Sequence, residues 1–263
     1  MATSKVKLLN TTDKRKKSKT AIKHSAEKLS EKNSTKDRFF SIIAHDLKDP
    51  LNAIIGFSDI LSTNFDSLTD TEKKKYLKNI NVSSKSLMRL LQNLLEWSQT
   101  THMEFNPQII NVSETANEVV EVLHLQAKHK NIKLRSEIKS NISAIGDINM
   151  LKTILRNLIS NAIKFTAQGG NITIRAKETK NKENSDGFIE ISVSDNGVGI
   201  KKENLEKILK LDQKIKTKGT ADEYGSGLGL ILCKELITKN NGYLVIDSIE
   251  NSGSTFTFAL PKK

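Results

Sequence analysis

Two apolar seams constrain this chain more than any other feature. Phe40, Ala44, Leu47, Leu51, Ile54, Ser58 and Leu61 recur at alternating steps of four and three residues, and Leu77, Ile80, Ser84, Leu87, Leu91, Leu94 and Ser98 repeat the pattern. Such spacing keeps one side of an α-helix apolar over several turns, whereas a strand would need strict alternation. Ile43 and Ile55 widen the first seam, and Met88, Leu95 and Trp97 flank the second. The polar stretch between them, Ser62 to Asp70, leads into Thr69-Asp70-Thr71-Glu72, an N-cap candidate with acidic residues in the opening turn. The pair predicts an antiparallel helical hairpin. Each stripe is wider than one neighbour covers, so the hairpin is expected to pair with a second copy as a dimeric four-helix bundle, the alternative being that the following domain covers the stripe.

After Pro107 the period changes. Ile109 to Asn131 reads as a strand and a helix, Ile132-Lys133-Leu134 and Ile142 to Ile145 as strands, and Asn149 to Phe165 as a helix. Further strands are expected at Ile172 to Ile174, Phe188 to Val193, Tyr243 to Ile246 and Thr255 to Phe258, with a helix from Leu228 to Thr238. The fold class is therefore multidomain: an all-α antiparallel hairpin followed by an α+β sandwich of sheet against helices. The expected domains are a basic linker or remnant of a signalling helix at 1–35, the hairpin at 36–102, a hinge at 103–108 and the α+β domain at 109–263.

Four constellations carry chemistry. His45-Asp46-Leu47-Lys48-Asp49-Pro50-Leu51 lies on the first helix, one step off the seam, which places His45 with Asp49 and Asn52 on the solvent side. A neutral imidazole has one free lone pair, and a carboxylate holding its other N–H raises its basicity; Asp46 is the candidate for that role. Pro50 removes a backbone donor inside the helical pattern, so a bend beside His45 is expected, not a stop, because the seam continues to Leu61. In the second, Asn157, Asn161 and Lys164 recur at four and three residues and share one helix face, with Leu155, Leu158 and Ile159 turned to the core. Amide oxygens there suit a hard cation such as Mg²⁺, which needs few protein ligands when phosphates supply others. In the third, Asp195-Asn196-Gly197-Val198-Gly199 leaves the end of an apolar strand, where a carboxylate would accept an exocyclic amine and glycines admit a flat ligand. In the fourth, Gly225-Ser226-Gly227-Leu228-Gly229-Leu230 opens a helix whose N–H groups would face phosphate. Neither a Rossmann fingerprint nor a Walker lysine accompanies it. Taken singly, these motifs also read as a surface histidine, a solvated helix face, a tight turn and a glycine-rich connection.

Their order along the chain resembles the H, N, G1 and G2 boxes of sensor histidine kinases, over about residues 36 to 263. The resemblance implies a dimerisation and phosphotransfer hairpin joined to a Bergerat-type ATP-binding domain. It implies His45 as phosphoacceptor and Asp46 as the acid that activates it. Asn157 and Asn161 match the N box, with Asn161 holding Mg²⁺, and Lys164 and Phe165 would meet phosphate and adenine. Asp195, with Gly197 and Gly199, matches the box that reads adenine; Gly225, Gly227, Leu228 and Gly229 match the turn around the triphosphate, and Thr255 a late-strand residue near the base. ATP and Mg²⁺ are the implied cofactors, and a response-regulator receiver domain is the implied partner. Lys48 replaces the usual arginine, and Asp49 stands where the family often has threonine or asparagine, so its phosphatase half-activity is not carried over. Leu209-Lys210-Leu211-Asp212 offers no phenylalanine for an F box, though the Lys-rich stretch from Ile200 to Tyr224 still reads as a lid. Two rival readings use the same motifs: a Bergerat-fold ATPase without a phosphohistidine, and a nucleotide-binding scaffold without turnover.

Charge narrows the partners. Of the formal net charge of +12, most sits in the first 36 residues, where ten lysines and Arg15 face only Asp13, Glu27 and Glu31. Aromatics make up 5% of the chain and do not interleave these lysines, so a solvated linker is expected and nucleic acid is not. No apolar run approaches the roughly 18 residues of a membrane span, and the single Cys233 cannot form an internal disulfide, which together predict a cytoplasmic protein.

Overall fold

The computed structural model describes residues 44, 46–102, 104–179, 187–209, 219–221 and 229–263. Phe40, Ile43, His45, Gly225, Gly227, Leu228, the basic segment 1–35 and residues 210–218 and 222–224 of the expected lid lie outside the described residues. The chain divides into two compact units, Met1–Lys48 and Asp49–Lys263. Asp46, in the first, is helical and buried.

Residues 46–64 are helical throughout (α1), so Pro50 does not stop the helix. The polar connection is shorter than its sequence suggests, because helix persists to residue 64 and a 3₁₀ turn fills Phe65–Ser67. Helix α2, Asp70–His102, starts at a reciprocal cap. The Thr69 N–H donates to Glu72 Oε2 (2.9 Å) while the Glu72 N–H donates to Thr69 Oγ1 (3.3 Å), which satisfies two orphan donors of the first turn. The Thr69 N–H and, at 2.7 Å, the Thr69 hydroxyl both donate to Glu72 Oε2 and hold the Glu72 carboxyl below its ordinary value.

The hairpin contains a stacked pair, Phe57 on Tyr76, with ring centroids 5.6 Å apart. The side of α2 covered by the chain itself runs through Tyr76, Ile80, Ser83, Leu87, Leu90 and Leu94, and Leu90 is its most buried member. Half of the second seam therefore turns outward. Leu77 (58% exposed), Met88 (57%), Leu91 (39%) and Leu95 (60%) form a separate open stripe, and on α1 Leu51 (46%) and Ile55 (49%) are exposed as well.

From Gln108 on, the structure is sheet against helices. Strands β1 (Gln108–Asn111) and β3 (Ser143–Gly146) pair antiparallel as a two-stranded sheet of their own, a partition that alternation along the chain does not reveal. The main sheet has the order β2-β4-β5-β7-β6, built from Lys133–Ser136, Asn171–Thr179, Phe188–Asp195, Gly253–Pro261 and Leu244–Ile249. The β2–β4 pair is parallel and the others antiparallel. Helices α3 (Val112–His129), α4 (Ile148–Phe165) and α6 (Gly229–Lys239) pack on one another and on the sheet. Between β5 and α6 the structure adds a short helix α5, Lys202–Leu205, inside the stretch read from sequence as lid.

Alternation on β5 buries Ile189, Ile191 and Val193, and the helical period of α4 buries Ile154, Leu155, Leu158, Ile159 and Ile163 against that layer. Each such side chain contributes about 1.5–3 kcal/mol of apolar burial, so this seam fixes where the polar faces of α4 and β5 must point. Among the described residues no helix is long and apolar enough to cross a membrane.

Candidate nucleotide site

Helix α4 begins at Asp147, whose Oδ1 accepts the N–H groups of Asn149 (2.9 Å) and Met150 (3.1 Å). With the buried stripe holding one side against the sheet, Asn157, Asn161, Lys164 and Phe165 come to lie on a half-buried face. Asn157 Nδ2 donates to the Thr153 carbonyl at 3.0 Å, which orients its amide. Lys164 Nζ sits 4.3 Å from the centre of the Phe165 ring, at the helix end where a cation is favoured.

The last residue of β5, Asp195, ends beside this helix. Its Oδ1 accepts the Gly197 N–H at 2.8 Å, and the next residue, Val198, donates its N–H to the Phe165 carbonyl at 3.1 Å. The turn is thereby fastened to the C-terminal end of α4. Burial pushes the Asp195 carboxyl above its usual range, with hydrogen bonds from the Gly197 and Ser254 N–H groups pulling the other way. Gly199 has φ +65°, and a Cβ there would lie 2.0 Å from the Ile249 carbonyl oxygen, so only glycine fits. Thr255 stands on the neighbouring strand β7, paired with Ser194, and its Oγ1 donates to Ser194 Oγ at 3.0 Å.

Gly229, the first residue of α6, closes on Asn157: a Cβ there would come 2.7 Å from Asn157 Oδ1. The structure thus gathers Asn157, Asn161, Lys164, Phe165, Asp195, Gly197, Gly199, Gly229 and Thr255 around α4 and the ends of β5 and β7. His45, Gly225, Gly227 and Leu228 lie outside the described residues, and Asp46 belongs to the other unit.

Chemically, the arrangement offers a desolvated carboxylate as acceptor, a glycine turn beside an aromatic ring, a cation, and amide oxygens one helical turn away. These suit a flat base bearing an amine and a phosphorylated tail. Sequence reasoning missed Asp147 as the cap of α4, although an aspartate just ahead of an apolar run is the ordinary signal. It also missed Lys130 and Thr220, whose partners at the end of α4 are remote in sequence.

Residues 146–263 match the family described as histidine kinase-, DNA gyrase B-, and HSP90-like ATPase, and residues 35–102 match the His Kinase A (phospho-acceptor) domain. Histidine protein kinase DivJ of Caulobacter vibrioides is 32% identical over 229 residues, covering 85% of this chain and 37% of that protein. The catalytic domain of histidine kinase ThkA, in a nucleotide-free form, is 30% identical with a TM-score of 0.51, covering 61% of this chain and 97% of that one. Histidine kinase ThkA in complex with response regulator protein TrrA shares the fold more widely, with a TM-score of 0.69 over 89% of this chain and 64% of that one at 24% identity. The chain spans between 22% and 43% of the length of the curated relatives it matches.

Proposed function

We propose, for a chain that belongs to the sensor histidine kinases, that it is a cytoplasmic kinase core which phosphorylates its own His45 from ATP and passes the phosphoryl group to an aspartate of a response-regulator receiver domain. Residues 36–102 act as the dimerisation and phosphotransfer hairpin, 103–108 as hinge and 109–263 as the catalytic domain, with 1–35 as a basic linker. A ring nitrogen of His45 attacks the γ-phosphorus in line; a P–N bond forms as the bond to the ADP oxygen breaks. Asp46 holds the imidazole in the tautomer that leaves the attacking nitrogen free.

In the catalytic domain Asp195 accepts the exocyclic amine of adenine, with Thr255 beside it, and Phe165 flanks the base. Lys164 and the N–H groups of the glycine-rich run Gly225 to Gly229, which precedes the rest of α6 in sequence, meet the phosphates. Asn161 would hold Mg²⁺, with Asn157 adjoining; an amide oxygen on a half-buried face fits that ion, which supplies charge neutralisation for the leaving phosphates. The open stripe on the hairpin supports a homodimer.

The observation that carries the reading is the desolvated Asp195 carboxylate at a strand end, fastened through its turn to the helix bearing the asparagines. Titration calorimetry with ATP and GTP tests it. ATP should bind and GTP, which has a carbonyl where adenine has its amine, should not. Asp195→Asn should weaken ATP by roughly 10- to 100-fold, the worth of a charge-assisted hydrogen bond. Equal binding of both nucleotides, or an Asp195→Asn variant that binds ATP unchanged, would contradict the assignment.

A further inference from the structure

The C-terminal end of α4 is closed by two residues from elsewhere in the chain. Lys130, just past α3, donates through Nζ to the Ile163 carbonyl (2.8 Å), the Lys164 carbonyl (3.1 Å) and Thr220 Oγ1 (2.7 Å). Thr220 lies between α5 and α6. Its N–H donates to the Lys164 carbonyl (3.0 Å), and its hydroxyl reaches the Thr166 carbonyl (2.7 Å) and the Lys164 carbonyl (3.1 Å). A helix leaves its last carbonyls without partners inside the helix, at the negative end of its dipole. Here an ammonium and a hydroxyl take those of residues 163, 164 and 166, while the Val198 N–H takes that of Phe165.

We propose that Lys130 and Thr220 form a latch that holds residues 219–221 on the end of α4, and that nucleotide affinity depends on this latch. Lys130 is then a positioning residue. It touches no nucleotide itself but sets the helix end that carries Lys164 and Phe165 and to which the Asp195 turn is fastened. The ordering of its bonds supports a unit: the ammonium donates to Thr220 Oγ1, which in turn donates onward to the Thr166 carbonyl, so neither residue is replaced by the other. A lysine serving only as a helix cap would not engage a side chain 90 residues away. The inference rests on the nucleotide reading of this site and adds to it the residues that keep the site's two sides in register.

The test uses the full chain, ATP titration calorimetry, and thermal unfolding of the nucleotide-free protein. Thr220→Val keeps the shape and removes the hydroxyl; Thr220→Ser restores it. Thr220→Val and Lys130→Met should each weaken ATP about tenfold, and Thr220→Ser should stay within about twofold of wild type. The double variant should bind no more weakly than Lys130→Met alone, because the two act together. The latch is overturned if Thr220→Val binds ATP as wild type does, if Lys130→Met lowers the unfolding temperature with ATP affinity unchanged, or if the losses multiply in the double variant. Wild-type protein that binds no ATP removes the nucleotide reading and the latch with it, whereas wild type that binds while Thr220→Val binds equally well removes the latch alone.

Discussion

Asp195 answers two opposed demands. Its place at the end of β5 takes the carboxylate partly out of water, which favours the protonated form, while recognition of an amine requires the ionised one. Burial raises its folded pKa above the ordinary 3.8. As pH climbs from below 3.8 through the raised folded value, the native state keeps a proton that the unfolded chain has released, so stability falls across that window and then levels. Asp195→Asn has no such titration. Urea unfolding of both proteins from acid to neutral pH should show the variant gaining stability relative to wild type as pH rises, even as it loses ATP. A difference that stays flat with pH would contradict the buried-carboxylate account. At this scale the placement of the candidate residues was legible in the sequence, because Asp195, Gly197 and Gly199 follow an alternating apolar strand and Asn157 and Asn161 share a helical period. Lys130 and Thr220 were not, since a latch between residues 90 apart leaves no local pattern.

Helix α4 is the element on which the site depends, and both its ends are tied to other parts of the chain. At its start, Asp147 Oδ1 caps the helix while Oδ2 accepts the Asn106 N–H at 3.2 Å, and the Asp147 N–H donates to Asn240 Oδ1 at 2.8 Å. The cap thus also secures the segment between α2 and β1. Asp147→Ala should cost about 0.5–2 kcal/mol as a lost N-cap, read by denaturant unfolding, and should speed amide exchange at Asn106, which a cap serving α4 alone would leave unchanged. Elements with strong local periods, such as β5 and α4, were readable from sequence to within a residue or two. The isolated β1–β3 pair was not, because pairing choice is tertiary and short strands of like composition do not name their partners. The covered side of α2 also escaped, since the second seam contains two overlapping stripes and the sequence does not say which one meets α1.

For the whole molecule, the open stripe on the hairpin leaves Leu77, Met88, Leu91 and Leu95 facing out from a single chain. The proposed pairing with a second copy would cover them, which predicts a dimer in solution. Leu91→Glu combined with Leu95→Glu should give a monomer by light scattering while ATP affinity in the catalytic domain is retained; a double variant that remains dimeric would place the interface elsewhere. Phosphoryl transfer from ATP to His45 is read out by incubation with γ-labelled ATP followed by acid and alkali treatment. The wild-type chain should carry label that is lost in acid, kept in alkali and absent from His45→Gln. Free phosphate with no labelled protein, bound nucleotide with no turnover, or label that persists in His45→Gln would contradict it.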